Sequence, residues 1–152
     1  MLYIMRHGRT DWNERHKLQG RTDIPLNANG RQMAEKAREE YADVHFDVCY
    51  CSPLIRARET AEIVLRGRNI PIIPDERLVE MSFGACESFE QLFARTGEFL
   101  REVAYPLVNA GKDVLIVGHG AMDSSIVCQV RNIPIADFWS AGIVNCKLMK
   151  LM

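Results

Sequence analysis

A histidine sits between two arginines at the end of a short apolar run, where Met1-Leu2-Tyr3-Ile4-Met5 passes directly into Arg6-His7-Gly8-Arg9-Thr10. A second apolar run, Val114-Leu115-Ile116-Val117, ends the same way in Gly118-His119-Gly120. Neutral imidazole is a nucleophile, and guanidinium is a permanent cation whose planar fork of donors matches phosphate oxygens. Two imidazoles with arginines beside them point to an anion, and to phosphate chemistry first. Arg56 lies four residues after Ser52, in the first turn of an expected helix, where amide N–H groups and a cation both favour phosphate. Its plainer reading is as one of a surface group with Arg58, Arg66 and Arg68.

These residues act together only if the chain brings their elements together. Apolar runs alternating with helical periodicity predict strands near 1–6, 46–51, 70–74, 113–118 and 143–151. Helices are expected over 28–42 with Asn27 as N-cap, over 53–65 entered through Ser52-Pro53, over 89–109 with Pro106 bending it, and over 121–130. The alternation predicts an α/β fold, a three-layer α/β/α sandwich with a mostly parallel central sheet. In such sheets ligands bind beyond the carboxyl ends of the strands, and neighbouring strands lie ~4.8 Å apart. If the strands ending in His7 and His119 are adjacent, the two imidazoles share one site. The glycine after each histidine is expected to let a ligand approach the backbone.

At 152 residues the chain fits one domain, 1–152, large enough to bury a core without staples. A net charge of −1 gives no nucleic-acid footprint, so attraction for anions must come from local arginines. Five cysteines, Cys49, Cys51, Cys86, Cys128 and Cys146, make neither a closed disulfide set nor a metal-type pair of pairs, and they read as reduced thiols. Cys49 and Cys51 alternate along a strand and should share one face. The first apolar run is too short for a signal peptide, so a cytoplasmic location away from membranes is the expectation. The apolar segment 143–152 is a candidate edge strand, where a second copy would pair to form a homodimer.

Read in order, the motifs form a series: Arg6-His7-Gly8-Arg9-Thr10, Trp12-Asn13, Leu18-Gln19-Gly20-Arg21-Thr22-Asp23-Ile24-Pro25-Leu26, the Gly30 helix, Ser52-Pro53-Leu54-Ile55-Arg56-Ala57-Arg58-Glu59-Thr60-Ala61, Leu78-Val79-Glu80 with Phe83-Gly84, and Gly118-His119-Gly120. In this series the chain resembles the histidine phosphatase superfamily, also called the phosphoglycerate mutase-like family, over nearly its whole length. The resemblance implies phosphoryl transfer through a phosphohistidine, with no cofactor and no metal. His7 is then the nucleophile, and Arg6, Arg56 and His119 hold the phosphoryl oxygens. Asn13 matches a phosphate-contacting position, and Glu80 protonates the leaving group and later activates water. Arg9, Thr10 and Arg21 are candidates for contacts with the distal part of the substrate. His16 and His45 have no evident partners and read as structural or exposed.

The chain departs from that family where a lid is usually inserted. The usual Gly-Trp-Glu-Gly-like segment and the later Gly-Glu-Ser motif are fused into Phe83-Gly84-Ala85-Cys86-Glu87-Ser88, with Cys86 where glycine is common. A missing lid implies an open pocket that water reaches, which favours hydrolysis over return of the phosphoryl group. The end at Met152, without the tail of the mutases, points the same way. The shortened loop also makes Glu87 a rival to Glu80 as acid/base, with Glu80 ahead because its spacing from Leu78 and Gly84 fits the motif. The expected activity is hydrolysis of a small phosphorylated metabolite through a phosphohistidine on His7. The alternatives are a protein phosphohistidine phosphatase, a mutase-type phosphoryl transferase and a non-catalytic phosphate-binding module. A metal-dependent hydrolase using His7, His119 and a carboxylate is a further alternative, against which the clustered arginines argue by repelling a divalent cation.

Overall fold

The computed structural model describes residues 1–83 and 87–152. Gly84, Ala85 and Cys86, on which part of the fused-loop reading rests, lie outside the described residues. Five strands form one sheet in the order β3-β2-β4-β1-β5. They are β1 (Leu2–Arg6), β2 (Val48–Cys51), β3 (Ile72–Pro74), β4 (Val114–Gly118) and β5 (Met149–Lys150). The first four run parallel, with Leu2 opposite Val114 and Arg6 opposite Gly118, while β5 runs antiparallel to β1 at the edge.

Central β4 is buried at every residue, because helices cover both faces of the sheet. Met5, Cys49, Cys51, Leu115 and Val117 point to one face. There they meet Ala34 and Ala37 of α2 (Ala28–Glu40) and Ala57, Ala61 and Val64 of α3 (Ile55–Val64). The alternate residues Leu2, Ile4, Val114 and Ile116 point to the other face, against Phe99 of α4 (Phe89–Phe99) and Met122, Ile126 and Val127 of α6 (Gly120–Arg131). Period-two alternation thus builds two cores from one set of strands, and Cys49 and Cys51 share a face as expected.

Asn27 caps α2 as its position suggests, accepting the Gly30 amide at 2.8 Å. The expected 53–65 helix starts later, at Ile55, and Ser52 does not cap it; the Ile55 amide is taken by Asp23 Oδ1 at 2.8 Å. The expected 89–109 helix comes in three parts: α4, a π-helical turn over Leu100–Ala104, and α5 (Tyr105–Asn109) with Pro106 in its first turn. Proline has no N–H to donate, and the wider turn before it accommodates the missing bond without a sharp break.

The last strand departs most from expectation. Instead of running over 143–151 it is two residues long, preceded by an isolated bridge between Arg6 and Asn145. Gly142 and Cys146 take left-handed backbone angles, φ +69° and +55°, which interrupt an extended run. The remaining short helix, α1 (Asp11–Glu14), follows β1 directly. No helix among the described residues is long and apolar enough to cross a membrane.

Candidate active site

Parallel pairing of β1 with β4 sets the two histidines side by side. The His7 amide donates to Gly118 O at 3.0 Å, and the two rings lie 5.3 Å apart between centroids, both essentially without exposure. His7 Nδ1 lies 2.5 Å from Gly8 O. A carbonyl only accepts, so Nδ1 carries the proton and Nε2 keeps its lone pair. Burial, and then the charges of Arg56 and Arg6, hold His7 well below the ordinary histidine range. His119 is lowered for the same reasons, with His7 itself added. Its Nε2 is 2.7 Å from Ser52 Oγ, so the serine expected to cap a helix instead orients the second histidine.

The glycine after His7 serves packing. A Cβ on Gly8 would lie 2.6 Å from Gly30 O, and one on Gly30 would overlap Arg9 O, so two glycines let the loop after β1 lie flat on the start of α2. The Gly8 amide is then taken by Thr60 Oγ1 at 2.9 Å. A Cβ on Gly120 would make only ordinary contact with Arg6, 3.6 Å from its Cζ, so close packing does not demand glycine after the second histidine.

Arg56 is buried to 1% exposure, which removes the surface reading. Its two terminal nitrogens donate to Thr22 O and Gly20 O, each at 2.6 Å, pinning the 20–22 loop at the pocket wall. Burial pulls its guanidinium down to about 10, against the charges of Glu80 and Asp23, so it remains a cation at neutral pH.

Thr10 is buried with its N–H and hydroxyl both taken within the fold, and it is not among the residues lining the pocket, so it acts inside the loop and does not make the direct contact expected of it. It caps α1 and organises two amides. Its backbone N–H donates to Asn13 Oδ1 at 3.1 Å, and its hydroxyl donates to Gln19 Oε1 at 2.7 Å. With both amide oxygens occupied, the NH2 groups of Asn13 and Gln19 are left for the pocket that both residues line. Gln19 and Asn145 were not singled out by sequence reasoning, and Ser52 only as a helix cap. Asn145 holds the His7 carbonyl at 2.7 Å, a contact across 138 positions of chain.

Glu80 is buried and lines the same pocket. Its carboxyl accepts the amides of Met81, Met122 and Ala121 at 2.8, 2.9 and 3.1 Å, the last two from the start of α6. Burial raises its affinity for a proton, and those three amides with Arg56 restrain the rise. Glu87 is in a different setting. Arg95 clamps both its oxygens at 2.7 and 3.1 Å, and although burial opposes it, this pairing holds the carboxyl below the usual range. Arg21 faces these segments: its Nε donates to Glu80 O at 3.1 Å, and Nη2 lies 3.8 Å from Glu87.

The pocket has a volume of about 350 Å³ and brings together Arg6, His7, Asn13, Gln19, Arg56 and Glu80, with Phe83, Trp139 and Ile143 toward its mouth. It continues along Arg6, Asn13, Lys17 and Leu18 into a wider cleft of about 810 Å³. Arg9 lines that outer cleft, not the inner pocket, and His16 does likewise. His45 has partners after all: Asp113 at 2.9 Å and Asp47 at 3.7 Å, at the amino ends of β4 and β2, the end of the sheet opposite the site.

The model of the family described as the histidine phosphatase superfamily (branch 1) matches residues 2–88 and 85–152. The uncharacterized phosphatase PhoE of Bacillus subtilis is 35% identical over 149 residues, covering 84% of this chain and 75% of that protein. Among solved structures, Bacillus stearothermophilus YhfR aligns with a TM-score of 0.86 at 30% identity, over 97% of this chain and 88% of the other. A phosphoserine phosphatase from Entamoeba histolytica, solved in complex with 3-phosphoglyceric acid, aligns with a TM-score of 0.80 at 26% identity, over 97% and 87%. Relatives of the chain carry the names of phosphatases and of phosphoglycerate mutases alike. With its sheet, its paired histidines and these likenesses in agreement, the chain belongs to the histidine phosphatase superfamily, branch 1.

Proposed function

We propose that the protein hydrolyses small phosphomonoesters by way of a phosphohistidine on His7. The observation that carries this reading is the state of His7: its Nδ1 proton is given to Gly8 O, its Nε2 lone pair is free, and it lies in a pocket lined by Arg6 and Arg56. Nε2 attacks phosphorus, the P–O ester bond breaks, and the leaving oxygen takes the Glu80 proton. The phosphoryl oxygens are held by Arg6, Arg56, His119 and the amide of Asn13, donors fixed in place before charge shifts onto those oxygens. Water then attacks the phosphohistidine while Glu80 accepts its proton; the P–N bond breaks and inorganic phosphate leaves. His7 regains its lone pair, and Glu80 is again protonated.

Glu80 suits both halves of this cycle because burial and amide bonding oppose each other, leaving a carboxyl that holds a proton more readily than usual yet tolerates losing it. Glu87, neutralised by Arg95, has no comparable freedom. The inner pocket is partly open and adjoins the outer cleft along Arg6, Asn13, Lys17 and Leu18, which supports access of water and so hydrolysis over phosphoryl return to a product. Small phosphorylated metabolites suit the size of the inner pocket.

The test is a phosphomonoester panel with wild-type and His7→Ala protein, combined with rapid acid-free quenching. Phosphate release by wild-type alone, with an acid-labile, base-stable phosphoenzyme absent from the variant, is the expected result. Equal release by both proteins would exclude His7 as the phosphoryl carrier.

A further inference from the structure

Asp123 is a buried carboxylic acid that the chemistry above does not use. It has no exposure, and neither of its oxygens makes a hydrogen bond of good geometry, although the His119 amide lies near enough to favour the ionised form. It lies in the first turn of α6, four residues after His119, and its amide donates to His119 O at 2.8 Å. A Cβ on Gly118 would overlap Asp123 Oδ1, so the carboxyl is pressed against the end of β4, beneath the histidine loop. An unpaired buried carboxyl is among the costlier features a fold retains, and one beside a reaction site calls for a functional account.

A second unpaired group lies on the other side of the same space. Arg6 Nε is also buried without a partner. Arg6 and Asp123 both line a small pocket of about 100 Å³ whose other walls include Ile4, Met5 and Leu148. Arg6 thus faces two ways, toward the phosphate pocket and toward this smaller cavity. The other charged groups bearing on Asp123 are Glu80, across the start of α6, and Lys147, on the far wall of the cavity. Burial first, and then the charge of Glu80, hold the Asp123 carboxyl well above the usual range, while Arg6 and the His119 backbone amide pull it back.

We infer that Asp123 is a positioning residue for Arg6, taking the Nε–H of its guanidinium from behind so that the terminal nitrogens stay aimed at the phosphoryl oxygens. The inference rests on the reading of Arg6 as a phosphoryl-binding group. A guanidinium makes a charge-assisted bond to a carboxyl oxygen whether or not the acid holds its proton, and a planar fork held at its rear cannot swing out of the pocket. The small cavity gives the carboxyl room to turn toward Nε. Asp123 touches neither substrate nor reacting atoms in this scheme and acts only through Arg6.

The experiment uses Asp123→Asn and Asp123→Leu, each alone and combined with Arg6→Lys, which removes the planar fork while keeping the charge. The expected result is a kcat lowered about tenfold in Asp123→Leu and by less in Asp123→Asn, which keeps an acceptor oxygen, with KM changed far less, as for an interaction made in the transition state. The thermal midpoint should be unchanged or raised, because removing the cost of burying a carboxyl offsets the bond lost to Arg6. In the Arg6→Lys background the Asp123 substitutions should have no further effect on kcat. An unchanged kcat in the single variants overturns the inference, whatever happens to the melting point. So does an equal loss of kcat in the Arg6→Lys background, since the effect would then not pass through Arg6. Wild-type turnover of p-nitrophenyl phosphate is the control for the underlying reading. If it is absent, the phosphatase reading fails by itself, and coupling of Asp123 to Arg6 is read instead as non-additivity in the affinity for inorganic vanadate.

Discussion

In the proposed cycle Glu80 serves two opposite proton transfers, and its surroundings suit both. Burial favours its neutral form, and three backbone amides favour its anion, so neither state is far from reach. Glu80→Gln keeps the shape and an acceptor oxygen but has no proton to exchange. With an alkyl phosphate, whose leaving alkoxide needs that proton, kcat should fall by ~10²–10⁴. With p-nitrophenyl phosphate, whose leaving group departs unprotonated, phosphorylation of His7 should be nearly unimpaired and the loss confined to dephosphorylation. A burst of p-nitrophenolate followed by slow turnover in stopped flow is the expected trace; equal slowing of both phases would remove Glu80 from the acid role. The residues of this site were legible to different degrees. That His7, His119, Arg6, Arg56 and Glu80 would be brought to one end of the sheet was readable because strand ends and ordered motifs announce them. Thr10 was misread as a contact and Gln19 overlooked, because their parts depend on how the loop between β1 and α2 folds back on itself, which no local pattern encodes.

Element by element, the loop after β1 does most to shape the pocket. Thr10 caps α1 and, through its N–H and hydroxyl, turns two amides inward. Thr10→Val removes the cap and frees Gln19 to rotate while leaving the backbone donor to Asn13 intact. The cost in stability should be about 1 kcal/mol, as for other lost N-caps. KM should rise several-fold more than kcat falls, because the amides bind the phosphate before and during transfer; steady-state kinetics with thermal melts separate these effects. A fall in stability with unchanged kinetics would leave Thr10 a cap and nothing more. The central strands were clear from sequence because apolar runs flanked by turns fit a covered parallel sheet. The final strand was not: Ile143 and Val144 are as apolar as a strand requires, but the left-handed angles at Gly142 and Cys146 bend the segment out of register. Those angles let Asn145 reach the His7 carbonyl.

For the whole molecule, burying two histidines beside two arginines makes stability depend on pH. His7 and His119 have depressed affinities for protons when folded and ordinary ones when unfolded. Their contribution is therefore fully present above the ordinary histidine range, near 6.5, and is lost as pH falls below it, by about 1.4 kcal/mol per pH unit for each histidine. Asp123 works the other way: its raised folded affinity contributes at low pH and is lost as pH rises. Wild-type protein should show a thermal midpoint that drops from pH 7 to pH 5, and Asp123→Asn should drop more steeply, because the compensating proton is gone. Parallel slopes for the two proteins would show that Asp123 is ionised in the folded state throughout. The same sheet order has a consequence in time. The first strand of the chain is bonded to β4 and β5, both drawn from its last quarter. A ribosome therefore releases His7 long before it releases His119, and closing so long a loop is slow. A nascent chain holds arginines and only the first of the two paired imidazoles, so competence for phosphate arises in one late step when β4 slots between β2 and β1.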